Sequence, residues 1–276
     1  MANSIPLVTA FSVLEPGDRS YPRRLNALGW RHAIHLRGAS PGDGPAVAVV
    51  GARAATAAGM QRAFELAAGL ADRGVHVVSG GALGIDGAAH RGALAGGGTT
   101  TVVLGTGIDV PYPARHVPLF DRVVAHGGAL VSMLQLGTEP RPHTFPQRNP
   151  LIAALADVVI VVEADLSSGS LSTAKAGVEL GRVVAAYPGS RGCERLLATG
   201  AALVTDCADA LAALAGQPRA VVREVVPLDP QAAAVQRALA DGVRGVDSIV
   251  SATGLPVRAV LRALGVLELS GSARSL

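Results

Sequence analysis

Five consecutive β-branched residues, Val158-Val159-Ile160-Val161-Val162, most constrain what this chain can fold into. Branching at Cβ restricts χ1 and favours the extended backbone. The run has no polar alternation, so neither face is suited to water. It reads as a strand buried on both faces, the kind found in parallel sheets covered by helices. Small polar residues follow it, Ser167-Ser168-Gly169-Ser170-Leu171-Ser172-Thr173. Such a loop lets backbone N–H groups approach an anion, and the helix it opens adds favourable partial charge at its start. Lys175 lies in the first turns of that helix. Ahead of the strand stands a basic turn with one aromatic, Phe145-Pro146-Gln147-Arg148-Asn149. Residues 145–175 are therefore expected to form one wall of a phosphate-binding cleft.

The same strand-then-helix alternation extends to both sides. Segments 46–51, 75–79, 99–104, 129–133 and 183–186 read as further strands, and 56–73, 86–94, 114–126 and 194–199 as helices. In the first of these helices Met60, Phe64 and Ala67 recur at helical spacing, and Gly74 ends it. Alternation of this kind predicts an α/β fold with a doubly wound, mostly parallel sheet. Residues 1–45 read as an N-terminal extension, with a short helix near Tyr21-Pro22-Arg23-Arg24-Leu25, a strand over 33–36 and a turn at Pro41-Gly42-Asp43-Gly44-Pro45. The main domain is expected at 46–217, a linker at 218–229 and a small winged-helix or helix-turn-helix module at 230–276. That module would hold helices over 231–240, 246–253 and 256–264 and a strand over 266–269.

Composition narrows the setting. Among 276 residues there are 34 glycines and only 3% aromatics, so the core must rest on Val, Leu and Ala with close helix–sheet packing. No apolar run of about 18 residues occurs, so no spanning helix is expected. The first residues lack a basic segment followed by an apolar one, so no signal peptide is expected. Cys193 and Cys207 suit a cytoplasmic protein with two reduced thiols. A net charge of +3 is compatible with nucleic acid without demanding it. The histidines lack metal-ligand spacing, and no Walker A, G-x-S-x-G or full G-x-G-x-x-G pattern appears, so no metal or cofactor is expected.

Ligands of open parallel sheets bind at the carboxyl ends of the strands. Four small-residue loops fall there: Gly51-Ala52-Arg53, Ser79-Gly80-Gly81, Gly105-Thr106-Gly107 and residues 167–173. Each glycine could equally serve tight strand–helix packing. Arg53 can grip a phosphate bidentately or stand as a solvated loop cation. Arg141 and Arg148 flank Phe145, which either stacks a base or packs in the core. Asp86, with His90 four residues on, reads as an acid–base pair or, more plainly, as a first-turn aspartate with a surface histidine.

Taken in order, several pieces resemble the DNA-processing protein A (DprA/Smf) family. They are Val47-Ala48-Val49-Val50-Gly51-Ala52-Arg53, Val77-Val78-Ser79-Gly80, Gly84-Ile85-Asp86 with Ala89-His90-Arg91, Leu104-Gly105-Thr106-Gly107 with Tyr112-Pro113, Phe145-Pro146-Gln147-Arg148-Asn149, Ser168-Gly169-Ser170-Leu171 with Thr173-Ala174, and Pro188-Gly189-Ser190. The resemblance implies an extended Rossmann-like domain that binds single-stranded DNA, followed by a winged helix. It also implies a homodimer that loads a RecA-type recombinase onto incoming strands in natural transformation. The DNA- and phosphate-binding residues would be Gly51, Arg53, Ser79, Gly80, Arg141, Phe145, Arg148, Asn149, Ser168, Gly169, Ser170, Thr173 and Lys175, with Phe145 stacking a base. The chain departs from the family pattern at Leu83 and at Pro150, where members usually carry Arg, and at Gln147, often basic elsewhere. Each departure removes a potential phosphate contact.

The reading is thus a non-enzymatic recombination mediator. The alternative is a nucleotide-binding sensor or nucleotide hydrolase on the related LOG-like fold. Those enzymes carry a glutamate three residues after the loop threonine, where this chain has Ala176. A third reading is a structural dimer whose winged helix binds duplex DNA or a protein through Arg258 and Arg262, one helical turn apart.

Overall fold

The computed structural model describes residues 11–220 and 229–269. The chain forms two compact units, Met1–Val221 and Val222–Leu276. The first unit begins with β1 (Ser12–Leu14), α1 (Arg23–Ala27) and β2 (Ile34–Gly38). There follow β3 (Ala46–Val50), α2 (Ala57–Asp72), β4 (His76–Gly80), α3 (Ile85–Ala95), β5 (Thr100–Val103), α4 (Val117–Ala125) and β6 (Ala129–Ser132). The unit ends with α5 (Thr144–Ala154), β7 (Val158–Val161), α6 (Ser170–Glu179), β8 (Val183–Ala186), α7 (Arg191–Ala198), β9 (Ala202–Leu203) and α8 (Cys207–Leu214).

The strands make one sheet in the order β1-β2-β6-β5-β4-β3-β7-β8-β9. From β6 to β9 every pairing is parallel, while β1–β2 and β2–β6 are antiparallel. This is the doubly wound, Rossmann-like arrangement expected. Residues 12–38, read from sequence as an extension, instead supply one edge of this sheet. The strand expected over 33–36 is β2, running to Gly38.

The central strands are apolar at every position because both faces are covered. Ala46, Ala48 and Val50 of β3 and Val159 and Val161 of β7 pack with α1, α5 and α6. Val47, Val49, Val158 and Ile160 face the other way, onto α2, α3 and α8. Small residues permit this closeness: a Cβ at Gly92 of α3, or at Gly96 just after it, would run into the α2 backbone at Phe64 or Ala68. The register places β3 at the reversal of winding, since the chain passes from β3 through β4 and β5 to β6 on one side, then returns to β7 on the other. Ligand crevices form at such switch points.

One element differs from the sequence reading and bears on the site. The turn expected around Phe145 is the first turn of α5. Pro146 is tolerated there because first-turn N–H groups have no intrahelical acceptor. Pro150, in the helix interior, forgoes one backbone bond, and the buried Leu151, Ile152, Ala153 and Ala154 hold the helix on the sheet regardless.

The second unit contains α9 (Pro230–Ala240), α10 (Val246–Thr253) and α11 (Val257–Leu269). Asp229 caps α9 by accepting from the Ala232 N–H, and Gly254, at φ 68°, ends α10 in the left-handed conformation that suits glycine. Its core includes Ala232, Val235, Ile249, Val260, Ala263, Leu264 and Leu267. The strand expected over 266–269 is helix instead. Val260, Ala263, Leu264 and Leu267 continue one stripe at i, i+3, i+4 and i+7, a helical rather than a strand period. Most of the expected linker, residues 221–228, lies outside the described residues. No described helix is long and apolar enough to cross a membrane.

Candidate nucleic-acid interface

The loops after β3 and β7 and the start of α5 enclose a cleft of about 480 Å3. Gly51, Arg53, Phe145, Arg148, Asn149, Ser168, Gly169, Ser170 and Thr173 all line it. Gly51 and Gly84 set the approach of the chain segments. A Cβ on Gly51 would press on Ile85 and the Glu163 carbonyl, and one on Gly84, at φ 77°, would strike the carbonyls of Ala52 and Arg53. Between them the Ala52 N–H donates to the Glu163 carbonyl (2.7 Å) and the Ile85 N–H to the Ala52 carbonyl (3.2 Å). Arg53 is thereby held at the end of β3 with its side chain exposed.

Arg148 is the buried cation of the cleft, only 4% exposed. Its guanidinium donates to the Val103 carbonyl and to the Asn149 Oδ1 (3.1 Å), and lies 3.9 Å from the Asp86 carboxylate. Gly80 makes room for this pair, since a Cβ there would collide with both charged groups. Burial pushes Arg148 down to about 10, with Asp86 opposing and Arg53 adding to the fall, so the guanidinium stays charged at neutral pH. Burial likewise holds the Asp86 carboxyl above its usual range, against Arg148 and the Ala82 N–H.

Asn149 ties this cation to the phosphate-type loop. Its Nδ2 donates to the Gly169 carbonyl (3.1 Å) and to Ser172 Oγ (2.6 Å). Ser168 and Ser170 hydroxyls are 2.8 Å apart. The Leu171 and Ser172 N–H groups turn back onto the carbonyls of Ser168 and Gly169. The N–H groups of Gly169 and Ser170, at the start of α6, make no such bond, and the helix has no side-chain cap. On one side of the cleft Phe145 is half-buried. The Arg53 guanidinium lies 4.5 Å from its ring centroid, and the Tyr112 ring 5.9 Å away at 46°.

Four residues expected at the site sit elsewhere. Lys175 points away, 78% exposed and 3.7 Å from Glu179 on the next turn. At 100° per residue it lies about 200° from Thr173, so the two cannot share a face of α6. The Arg141 side chain is exposed beside the cleft, whose wall there is Pro142. Ser79 is buried under it, donating to the Val49 carbonyl (2.6 Å), and Gly80 shapes the Arg148–Asp86 pocket from behind. His90, expected on the surface, is fully buried between Thr100 Oγ1 and the Gly80 carbonyl, both 2.8 Å away. Burial lowers it to about 4, so it is neutral at pH 7. His116 similarly holds the Gly81 carbonyl (3.0 Å). Two carboxylates escaped the sequence reading: Asp86 as the partner of Arg148, and Asp165, which lines the cleft. No group of three or more His, Cys, Asp or Glu that could hold a metal occurs among the described residues.

Fold and cleft together define a doubly wound α/β protein with an open cleft at its switch point, lined by Arg53, Arg148, Asp86 and Asp165. The family model for DNA recombination-mediator protein A matches residues 12–215, and that for the DprA winged helix domain matches residues 208–276. The chain belongs to the DNA recombination-mediator protein A (DprA/Smf) family. It is 45% identical over 241 residues to a putative DNA processing protein DprA of Mycobacterium tuberculosis, covering 83% of this chain and 62% of that one. It is 38% identical over 266 residues to Protein Smf of Escherichia coli, covering 91% of this chain and 69% of that one. Among solved structures, DprA of Streptococcus pneumoniae superposes with a TM-score of 0.68 at 38% identity over 74% of each chain. DNA processing protein A of Helicobacter pylori, described for its single-stranded DNA binding mode, gives 0.65 at 29% identity over 76% of this chain and 97% of that one. The chain thus spans less than two thirds of the length of its Mycobacterium relative.

Proposed function

We propose that this chain binds single-stranded DNA without catalysis and acts as a recombination mediator, loading a RecA-type recombinase onto incoming strands in natural transformation as a cytoplasmic homodimer. One observation carries the DNA-binding part: Arg53, buried Arg148 and the uncapped start of α6 meet in one cleft beside the half-buried ring of Phe145. Cations and N–H groups suit backbone phosphates, an aromatic suits an unpaired base, and the pair of features is the usual logic of single-strand recognition. The single-stranded DNA binding described for the Helicobacter pylori relative supports the same ligand. Family membership supports the mediator role.

The site favours binding over chemistry. Asp86 is engaged by Arg148, and His90 is enclosed by Thr100 and Gly80, so neither is placed to exchange protons with a ligand. Ala176, at the position of the hydrolase glutamate, is buried.

Titration of labelled oligo-dT and of a duplex at two salt concentrations tests the reading. The single strand should bind more tightly. Arg53→Ala should lower its affinity about tenfold at low salt and flatten the log K against log salt slope by about 0.7, the share of one phosphate contact. Equal affinity of variant and wild type would remove Arg53 from the site, and preference for duplex would reject the ligand. Recombinase ATPase activity on the same single strand, with and without the chain, tests the loading step.

A further inference from the structure

Behind the cleft wall, three donors converge on one backbone oxygen. The Gly169 carbonyl accepts from the Ser172 N–H (3.2 Å), the Ser172 hydroxyl (2.8 Å) and Asn149 Nδ2 (3.1 Å). Asn149 Nδ2 also donates to Ser172 Oγ (2.6 Å), which closes a clasp around that oxygen. Both Asn149 N–H donors are thus used inside the protein, and the residue is only 6% exposed. Ser172 is half-buried and outside the cleft lining, whereas Gly169 and Ser170 are part of it. In a trans peptide the N–H points opposite to the C=O of the same unit. Holding the Gly169 oxygen toward α5 and the body of α6 therefore aims the Ser170 N–H the other way, out of the helix start. Gly169 cannot fix that plane by itself. No atom lies within 4 Å of where its Cβ would be, and glycine has the widest backbone freedom.

We propose that Ser172, together with Asn149, is a positioning residue for phosphate binding: the clasp sets the Gly169–Ser170 peptide before the ligand arrives, so the Ser170 N–H meets a phosphate oxygen already aimed. The inference rests on the single-strand reading above and adds to it a residue that never touches the DNA. It also changes the part of Asn149, which the family resemblance implies as a phosphate ligand. A phosphate could take its N–H groups only by breaking the bonds to Gly169 and Ser172. The Oδ1 of the same amide accepts from Arg148 Nε (3.1 Å), so one side chain places the buried cation and the helix-start donor in a fixed relation. Donors held in place bind more tightly because no ordering remains to be done on binding.

Ser172→Ala, measured by fluorescence anisotropy of labelled oligo-dT with the full chain, is the test. Affinity should fall about fivefold, the loss expected of one weakened hydrogen bond. The log K against log salt slope should match wild type, because a neutral N–H releases no counterion, whereas Arg53→Ala removes a charge and flattens it. Ser172→Thr keeps the hydroxyl and should keep wild-type affinity. The Ser172 side chain is half-buried, so thermal melting of both variants should match wild type. Asn149→Asp keeps an acceptor for Arg148 but draws the Ser172 hydroxyl from Gly169 to the new carboxylate. On that background Ser172→Ala should change affinity by less than about twofold, since both residues act through one carbonyl. Wild type that fails to bind oligo-dT would reject the function proposed above and the positioning with it. Wild type that binds oligo-dT no better than Ser172→Ala would reject the positioning alone. So would an additive loss in the double variant, or a loss that follows a lowered melting temperature and persists in Ser172→Thr.

Discussion

Replacing Arg148 by Met keeps an unbranched apolar stem in place and removes the charge. The Val103 carbonyl and the Asn149 Oδ1 then lose this donor, and the Asp86 carboxylate loses its counter-charge while keeping the Ala82 N–H. For charges 3.9 Å apart, an effective dielectric of about 20 gives an attraction of about 4 kcal/mol. Removal of one member of a buried pair typically costs about 3–5 kcal/mol, mainly because the other charge stays buried alone. Arg148→Met should therefore lose about 3–5 kcal/mol at pH 7, read as a fall of about 2 M in the urea midpoint at an m of about 2 kcal/mol/M. The pH dependence separates this cause from simple loss of packing. Burial raises the Asp86 carboxyl, and with Arg148 gone that rise is less opposed. The folded variant then binds a proton more readily than the unfolded chain, so its stability falls as pH rises through that window and recovers as pH drops. The deficit should be smaller at pH 5 than at pH 7. Arg148→Met combined with Asp86→Leu should regain most of the loss, because no unpaired charge remains. A deficit below about 1 kcal/mol, equal at both pH values, would refute the buried pair.

Two further predictions follow from the geometry. Lys175→Ala should leave single-strand affinity within about twofold and cost at most about 0.5 kcal/mol, because the side chain faces solvent opposite Thr173 and makes only an i,i+4 pair; an affinity loss like that of Arg53→Ala would return it to the cleft. Asp157 accepts from Arg24 Nε (3.0 Å) and from the Ala46 N–H (2.9 Å) at the amino end of β3. Burial alone would raise its carboxyl, but the Arg24 and Ala46 hydrogen bonds outweigh that and hold it below the usual value. Its contribution is therefore present above the unfolded carboxyl range and lost as pH falls through the lowered value. Asp157→Asn should cost about 1 kcal/mol at pH 7, discounted for a side chain 36% exposed, and nothing in strong acid. A deficit unchanged from pH 7 down to pH 2 in guanidinium melts would contradict it.

What could be read from sequence follows from where the physics is local. β3 and β7 were legible because helices cover both faces, leaving no position for a polar residue. The edges were not. β1 and β9 span three and two residues, too few for any period to register. α5 was hidden by Pro146 and Pro150, which read as loop punctuation although burial of its last turn overrides them. In the site, the loops after β3 and β7 meet because the parallel register aligns those strand ends, whereas Ser79 and Gly80 at the end of β4 lie beneath and behind the cleft. Lys175 does not join them, since closeness in sequence to Ser170 and Thr173 says nothing about the face of a helix until the turn is counted. The Asp86–Arg148 pair was out of reach for a different reason: it joins two helices that meet only across the sheet's carboxyl edge.

The switch point also explains why the cleft opens on α6 and not on α2. Both helices begin at the carboxyl edge, after β3 and β7, and the start of the helix after the first strand is where dinucleotide-binding folds place a pyrophosphate. Here that place is taken by the chain itself. The Thr56 hydroxyl accepts from the Gly59 N–H (2.9 Å) and donates to the Glu163 carboxylate (2.6 Å), which also accepts from the Thr56 N–H (3.0 Å). Gly59 has no side chain because Glu163 Oε2 occupies the space a Cβ would need. A carboxylate at a helix start satisfies its N–H groups and offsets its partial positive charge, so a phosphate there would meet like charge. The start of α6 has no such occupant, and Ser168, Gly169 and Ser170 face the cleft. Of the two helix starts, the one beside exposed Arg53 and buried Arg148 is thus the one open to a ligand's phosphate. A dinucleotide seated as in those folds would need the start of α2, and Glu163 closes it.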